Sequence, residues 1–117
     1  MRELLREFRP ERVLLNCSRP EAVSEGVPVI AAIHDQVGAY ANGFKCIDPR
    51  FNKIGATADV LETREDIGPT AYTAFADHWV DSGARTVGGC CEISPAHIAE
   101  LARHFADRNP STMCAAV

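Results

Sequence analysis

The chain has 117 residues, of which 46% are apolar and 24% charged, and its 12 Lys and Arg against 16 Asp and Glu give a net charge of −4. This composition is ordinary for a globular protein, and a chain of this length can bury one core, so we expect one compact unit. The mild acidity and the lack of a Lys/Arg cluster argue against a nucleic-acid-binding protein.

Neither a membrane span nor a secretory signal is predicted. The longest apolar stretch, Val27 to Ile33, has seven residues, whereas a transmembrane helix needs about 20. The N-terminal sequence MRELLREFRPER alternates charge with leucine and has neither an apolar core nor a cleavage site. We therefore expect a soluble, cytoplasmic protein.

The first third of the chain indicates helices alternating with a short strand. Apolar residues at helical spacing predict a first helix that ends at Pro10, and a short apolar run follows over residues 13–15. A second helix is predicted over residues 20–33, interrupted near Gly26 and restarted at Pro28.

The rest of the chain continues the alternation after a long loop. A strand is predicted over residues 36–41. It is followed by a loop over residues 44–67, where apolar residues recur with neither helical nor strand spacing. Two apolar stripes then predict two helices, one before and one after a strand at residues 86–89. The first stripe consists of Tyr72, Phe75, Ala76, Trp79 and Val80, and the second of Ile98, Leu101, Ala102 and Phe105. We interpret the aromatic stripe as core packing. The whole order favours βα units and a parallel sheet.

Five cysteines, an odd number without an export signal, argue against a disulfide framework. For two of them, Cys46 and Cys114, the simplest interpretation is a small buried hydrophobe. The other three follow predicted strands directly: Cys17 after the first, and Cys90 and Cys91 after the third. Functional residues of parallel α/β folds gather just beyond the carboxyl ends of the strands.

Three thiolates suit a soft tetrahedral cation such as zinc, and three protein ligands leave one position open, as in catalytic sites. The spacing alone leaves two alternatives for the adjacent pair Cys90 and Cys91. The pair is also compatible with a thiol redox function through a vicinal disulfide, and with inert packing in the core. The glycines before the pair let the backbone bend there.

Three motifs resemble those of one family. The sequence GGCC at residues 88–91, with PxHI at residues 95–98, resembles a motif of the zinc-dependent homocysteine S-methyltransferases. This family includes betaine– and S-methylmethionine–homocysteine methyltransferases and the homocysteine module of cobalamin-dependent methionine synthase. Residues 16–21 (NCSRPE) are similar to its NC…PE motif, and residues 38–42 (GAYAN) to its GxYxN strand. The resemblance covers about residues 12–105.

The resemblance implies a zinc site and a reaction. Cys17, Cys90 and Cys91 would hold Zn²⁺, and Asn16 and Asn42 would bind substrate beside it; a simple turn residue is an equal alternative for Asn42. A methyl group would pass from a small-molecule donor to the thiol of homocysteine and give methionine, as in methionine biosynthesis. His97 is interpreted as an ordinary polar residue of a first helical turn, outside the site.

The resemblance also implies a (β/α)8 TIM barrel whose sixth, seventh and eighth strands are those predicted here. Such a barrel needs about 250 residues, and the family's N-terminal glycine-rich motif has no counterpart in the chain. We therefore expect the C-terminal three βα units of an incomplete barrel. Residues 1–108 would form a partial homocysteine-binding methyltransferase domain, and residues 109–117 a disordered tail.

An incomplete barrel would leave two strand edges unpaired, which favours self-association or a partner that supplies the missing strands. The alternative function is a catalytically inactive zinc-binding remnant, or a partner-dependent fragment of such an enzyme.

Overall fold

The computed structural model of the chain describes residues 1–46 and 48–108 and the backbone of residues 114–115. Every helix in this part of the chain is too short or too polar to cross a bilayer. Helices and strands alternate in the predicted order, and a short fourth strand follows. They are α1 (Arg2–Phe8), β1 (Val13–Asn16), α2 (Pro20–Ala31), β2 (Val37–Ala41), α3 (Pro69–Asp81), β3 (Ala84–Gly89), α4 (Pro95–Arg108) and β4 (Cys114–Ala115).

The strands form one parallel sheet in the order β1-β2-β3-β4, so each crossover returns beside the strand that it left. The register places Leu14 beside Gly38, and Gly38 beside Thr86. The helices α2, α3 and α4 contact their neighbours in sequence. The smallest dimension of the molecule is 20 Å, which corresponds to one sheet and one layer of helices. The fold is therefore a two-layer α/β structure, as the predicted parallel βα units require.

The core lies between the sheet and the helix layer. Alternate strand residues face the helices, because successive side chains of a strand point to opposite faces. The largest fully buried side chains of this core are Trp79, Tyr72, Leu101, Val23, Val27, Val37 and Val87. The prediction that the aromatic stripe of α3 packs in the core is confirmed.

Leu14 lies on the face of the sheet opposite to the core, because its neighbours Val13 and Leu15 pack against the core. Leu14, on this face of β1, is 50% exposed. A Cβ atom on Gly38 would lie 2.3 Å from Leu14 Cδ2, so the leucine side chain lies across the glycine of the neighbouring strand. Leu14 is thus an exposed apolar residue of the sheet, whereas Gly38 and Thr86 beside it are buried.

The predicted interruption of α2 is wrong, because the helix runs unbroken through Gly26 and Pro28. A Cβ atom at position 26 would lie 2.9 Å from Leu15 Cδ1, so this glycine permits close helix–strand packing. Pro28 removes one helical N–H donor. Burial of Val27 and Ile30 on either side holds the helix against the sheet nonetheless.

The predicted apolar stripe of α4 also needs a correction. Ala102 is exposed, and the buried positions are His97, Leu101 and Phe105. His97 can be buried because both ring nitrogens have partners: Nε2 lies 2.9 Å from the Ile67 carbonyl oxygen, and Nδ1 lies 2.8 Å from Ser94 Oγ. The buried stripe of α4 thus begins at a polar residue, His97, and leaves out Ala102.

Within the described part of the chain, the sheet has two edge strands, as predicted, and they are β1 and β4. The second edge is β4 rather than β3, because β4 pairs with β3 at Thr86 and Val87. Apart from β4, the predicted disordered tail over residues 109–117 lies outside the described residues.

Candidate metal centre

The three cysteines of the predicted site lie on two turns, on either side of the end of β2. The backbone N–H of Cys17 donates to the Tyr40 carbonyl oxygen, and that of Cys90 donates to the Ala41 carbonyl oxygen, both at 2.9 Å. Each bond continues the parallel ladder by one residue beyond a strand. The ladder therefore places both cysteine turns at the carboxyl ends of the strands, beside each other.

Asn42 supports the turn at Cys17. Cys17 has a left-handed backbone with φ of 52°, which is uncommon for a residue other than glycine. Its carbonyl oxygen accepts a 2.9 Å hydrogen bond from Asn42 Nδ2, which also lies 3.8 Å from Cys17 Sγ. Asn42 is 1% exposed, and its Oδ1 accepts from the Phe44 N–H at 3.2 Å. The amide of Asn42 thus uses its N–H group to hold the backbone of Cys17 and its oxygen to hold the backbone of Phe44.

A tight turn at residues 90–93 carries the other two cysteines. The Ile93 N–H donates to the Cys90 carbonyl oxygen at 3.2 Å, and the Gly43 N–H donates to the Cys91 carbonyl oxygen at 2.9 Å. A Cβ atom on Gly89 would lie 2.3 Å from Ile93 Cγ2. Glycine at position 89 therefore allows the chain to fold back over itself and place adjacent side chains in one site.

The sulfur atoms of the three cysteines form a compact triangle. Cys91 Sγ lies 4.0 Å from Cys17 Sγ and 3.8 Å from Cys90 Sγ, and all three sulfurs lie within 4.8 Å of one another. Four ligands at about 2.3 Å around a tetrahedral zinc ion are separated from each other by about 3.8 Å. The donor set and its spacing therefore fit Zn²⁺ with a fourth position left for another ligand.

The thiols perturb each other. Burial and the hydrogen bond to Cys17 raise the pKa of Cys90 to about 11. Burial alone would raise the pKa of Cys17, but hydrogen bonds from Cys90, Asn42 and Cys91 outweigh it and lower that pKa. Neighbouring thiolates repel each other, so a second ionisation is disfavoured unless a cation compensates it. A bound metal ion supplies such compensation.

The cluster is open to solvent. Cys17 and Cys91 are exposed and Cys90 is half-buried, and all three are free thiols. Cys17 and Cys91 are therefore accessible from solvent.

Tyr72 of α3 contacts the carboxyl ends of β2 and β3 through its hydroxyl group. Its hydroxyl lies 2.8 Å from the Gly88 carbonyl oxygen and 3.2 Å from that of Ala41. The side chain is fully buried, and burial raises its pKa. Sequence patterning predicts this residue as core packing only. Its spacing in the stripe carries no signal for the hydroxyl contact.

The remaining residues singled out by sequence are not all brought to the cluster. Asn16 is exposed at the end of β1, and its carbonyl oxygen accepts from Ser18 Oγ at 3.4 Å. Within the described residues, its amide makes no hydrogen bond to the three thiols. The interpretation of Cys46 as a buried hydrophobe is wrong, since Cys46 is exposed in the long connection. The side chain of Cys114 lies outside the described part.

A model of the homocysteine S-methyltransferase family matches residues 1–105. The chain belongs to this family. The match confirms the family predicted from the three sequence motifs, and it includes all three cysteines of the cluster. Comparisons of this homocysteine S-methyltransferase family member with curated proteins and with solved structures found no match.

Proposed function

We propose that the chain carries the zinc-binding part of a homocysteine S-methyltransferase. Cys17, Cys90 and Cys91 hold Zn²⁺, homocysteine binds there through its sulfur, and methyl transfer to that sulfur gives methionine. The observation that carries this proposal is the sulfur triangle, whose 3.8 and 4.0 Å edges match a tetrahedral zinc site in a chain of this family.

The chemistry follows from charge. Cys17, Cys90 and Cys91 would hold the zinc ion, whose charge would lower the pKa of a bound homocysteine thiol and make the thiolate available at neutral pH. The homocysteine sulfur then forms a bond to the methyl carbon as the donor's bond to that carbon breaks, and the thiol proton leaves to solvent.

The protein contributes a fixed set of sulfur atoms. Asn42 holds the backbone of Cys17, and the hydrogen bond from the Gly43 N–H holds that of Cys91. Because Cys17 and Cys91 are exposed, homocysteine reaches the sulfurs without a rearrangement of the core. Asn42 is buried and its amide is used by backbone partners, so in this proposal it positions Cys17 rather than contacting the substrate.

The fold supports a barrel origin for the three βα units. Consecutive strand order, parallel pairing and a single helix layer are features of a (β/α)8 barrel, in which one face of the sheet lines the interior. In this proposal β1, β2 and β3 are its sixth, seventh and eighth strands, and residues 1–108 are a partial domain. The residues that bind the amino-acid end of homocysteine and select the methyl donor then belong to the other strands.

A second candidate function is a catalytically inactive zinc-binding remnant or partner-dependent fragment. The exposed Leu14, and the unpaired edge of β1 within the described residues, favour it. Self-association, or a partner that supplies the missing strands, would cover both features. Under this candidate the cysteine cluster binds zinc in the isolated chain without turnover.

The two candidates are separated by a methyl-transfer assay on the zinc-loaded chain. Homocysteine is supplied in turn with betaine, S-methylmethionine, S-adenosylmethionine and a methylated folate with cobalamin. Methionine formed by wild type and by Cys46→Ser, and lost in Cys90→Ser, supports the enzyme. Zinc binding with no methionine from any donor supports the remnant, and a chain that binds no zinc contradicts both.

A further inference from the structure

The connection between β2 and α3 folds back on itself beside the cysteine cluster. Phe44 and Thr63 form an antiparallel bridge. On either side of it, the Arg64 N–H donates to the Gly43 carbonyl oxygen at 2.7 Å, and the Lys45 N–H donates to the Glu62 carbonyl oxygen at 2.8 Å. Residues 43–45 and 62–64 thus form a short ribbon, called the rim ribbon below.

Two consecutive residues of the rim ribbon contact the turn of Cys90 and Cys91 and the helix that follows the turn of Cys17. Thr63 Oγ1 donates to Glu92 Oε2 at 3.0 Å, and Glu92 directly follows Cys91. Arg64 Nη1 donates to Glu21 Oε1 at 2.6 Å, and Glu21 stands in the first turn of α2, which begins shortly after Cys17. The rim ribbon therefore connects the start of α2, which follows the turn of Cys17, to the turn of Cys90 and Cys91.

Arg64 is fixed more firmly than a surface arginine. Its side chain is 16% exposed, and its Nε and Nη2 donate to the two carboxylate oxygens of Asp66 at 3.0 and 2.7 Å. A guanidinium held in this two-pronged way has a defined orientation. The ion pair between Lys45 and Glu62 on the same ribbon differs, since its side chains are 56% and 76% exposed. Exposed pairs of this kind contribute little.

The end of α2 that Arg64 contacts is itself rigid. Pro20, beside Glu21, is fully buried, and the Val23 N–H donates to the Arg19 carbonyl oxygen at 3.0 Å. The hydrogen bond from Arg64 to Glu21 therefore restricts the position of the first turn of α2, and with it the short segment that joins α2 to Cys17. The contact on Glu92 acts on the other turn, where φ of Glu92 is 64° and the backbone is strained.

We propose that Thr63 and Arg64 are positioning residues that set the separation of Cys17 from the pair Cys90 and Cys91, and so the zinc affinity. The inference rests on the proposed zinc site and deepens it. Sulfur atoms held at the spacing that zinc requires need no rearrangement when the ion binds. Partners that orient metal ligands typically change affinity by about 10- to 100-fold when they are removed.

The test measures zinc affinity of the full chain by competition with a chelating indicator. Arg64→Met should weaken zinc binding by about 10- to 100-fold, and Thr63→Val by a smaller factor. The matched control Lys45→Met lies on the same ribbon but contacts neither cysteine turn, so its affinity should equal that of wild type. Arg64→Lys should restore affinity only in part, because lysine lacks the forked geometry.

A spectroscopic measurement separates positioning from a general loss of stability. Bound Co²⁺ in place of zinc reports the arrangement of the sulfurs through its visible absorption. Arg64→Met and Thr63→Val should change the shape and position of these bands in the metal-saturated protein, whereas Lys45→Met should not. Should Arg64→Met fail to fold, Glu21→Gln removes the charge of the same pair from the more exposed partner, and it should shift both readouts.

The outcomes distinguish this inference from the proposed function. Wild type that binds no zinc overturns the proposed function. Wild type that binds zinc, with Thr63→Val and the Arg64 or Glu21 variants unchanged in both affinity and Co²⁺ spectrum, overturns the role of the rim ribbon alone. Weaker binding and an altered spectrum in these variants, with Lys45→Met unchanged, support it.

Discussion

Gly89 controls the shape of the turn that carries two of the three sulfurs. A Cβ atom at this position would lie 2.3 Å from Ile93 Cγ2 and 2.6 Å from Ile93 Cβ. We expect Gly89→Ala to push Ile93 away and open the turn, and to weaken zinc binding by at least as much as loss of an orienting contact, about 10-fold. Zinc competition measures this. Gly68→Ala is the control, since a Cβ there meets nothing within 4 Å; equal affinities for the two variants would contradict the role of Gly89.

Asn42 is the buried polar residue on which the turn at Cys17 depends. Asn42→Ala removes the partner of the Cys17 carbonyl oxygen and that of the Phe44 N–H at once. We expect the free energy of unfolding of the metal-free chain to fall by about 1–3 kcal/mol, because buried groups lose their hydrogen bonds. Denaturant unfolding measures the change. Gln36→Ala removes an exposed amide side chain and should change stability by far less; a similar loss in both variants would argue against the assigned role.

At the residue scale, sequence predicts the sulfur ligands but not what holds them. Cys17, Cys90 and Cys91 can be placed together because parallel strands end at one edge of a sheet. The contacts of Thr63 and Arg64 cannot be predicted in this way. They come from a connection without helical or strand periodicity, and they depend on how a long irregular segment folds back.

The helix α3 contacts the strand ends beside the two cysteine turns through Tyr72. Its hydroxyl contacts carbonyl oxygens at the ends of β2 and β3. Tyr72→Phe keeps the ring in the core and removes the hydrogen bond, so the unfolding free energy should fall by about 1–2 kcal/mol. Denaturant unfolding of the metal-free chain checks the value. A variant as stable as wild type would show that the hydroxyl contact does not stabilise the strand ends.

The contact between the rim ribbon and α2 should depend on pH. Burial alone would raise the pKa of Glu21, but the hydrogen bond from Arg64 and the charges of Arg64 and Arg19 outweigh it and lower that pKa. The same guanidinium lowers the pKa of Asp66. A lowered folded-state pKa stabilises the protein above the ordinary carboxyl range, and this contribution is lost as pH falls through the folded value.

Melting temperatures of the metal-free chain test this dependence. The difference between wild type and Arg64→Met should be fully present at pH 6–7 and should shrink below about pH 4, where carboxylates become protonated. Lys45→Met, whose ion pair is exposed, should differ little from wild type at neutral pH. A difference between wild type and Arg64→Met that stays constant from pH 7 to pH 3 would contradict the ion-pair contribution.

At the element scale, sequence predicts the order of helices and strands better than their continuity. Gly26 and Pro28 are ordinary helix breakers, yet α2 continues because tertiary packing of Val27 and Ile30 outweighs local propensity. His97, which the predicted apolar stripe does not include, is buried because the Ile67 carbonyl oxygen and Ser94 satisfy its ring. Both differences come from contacts between elements, which a periodic pattern does not contain.

At the scale of the whole molecule, the parallel sheet and its helix layer follow from the alternation of elements and the preference for short crossovers. The pairing of β4 with β3 does not follow from the pattern, because a two-residue strand leaves no periodic signal. Leu14 is exposed on the face of the sheet opposite to the core, and in the proposed barrel this face would line the interior.

The central claim is that three cysteines from two strand ends hold one zinc ion, and metal analysis of a size-separated sample tests it most directly. We expect about one zinc per chain in wild type and in Cys46→Ser, whose cysteine is exposed away from the cluster. Zinc should be lost in Cys17→Ser, Cys90→Ser and Cys91→Ser. A wild-type chain without zinc, or a zinc content unchanged by Cys90→Ser, would contradict the claim.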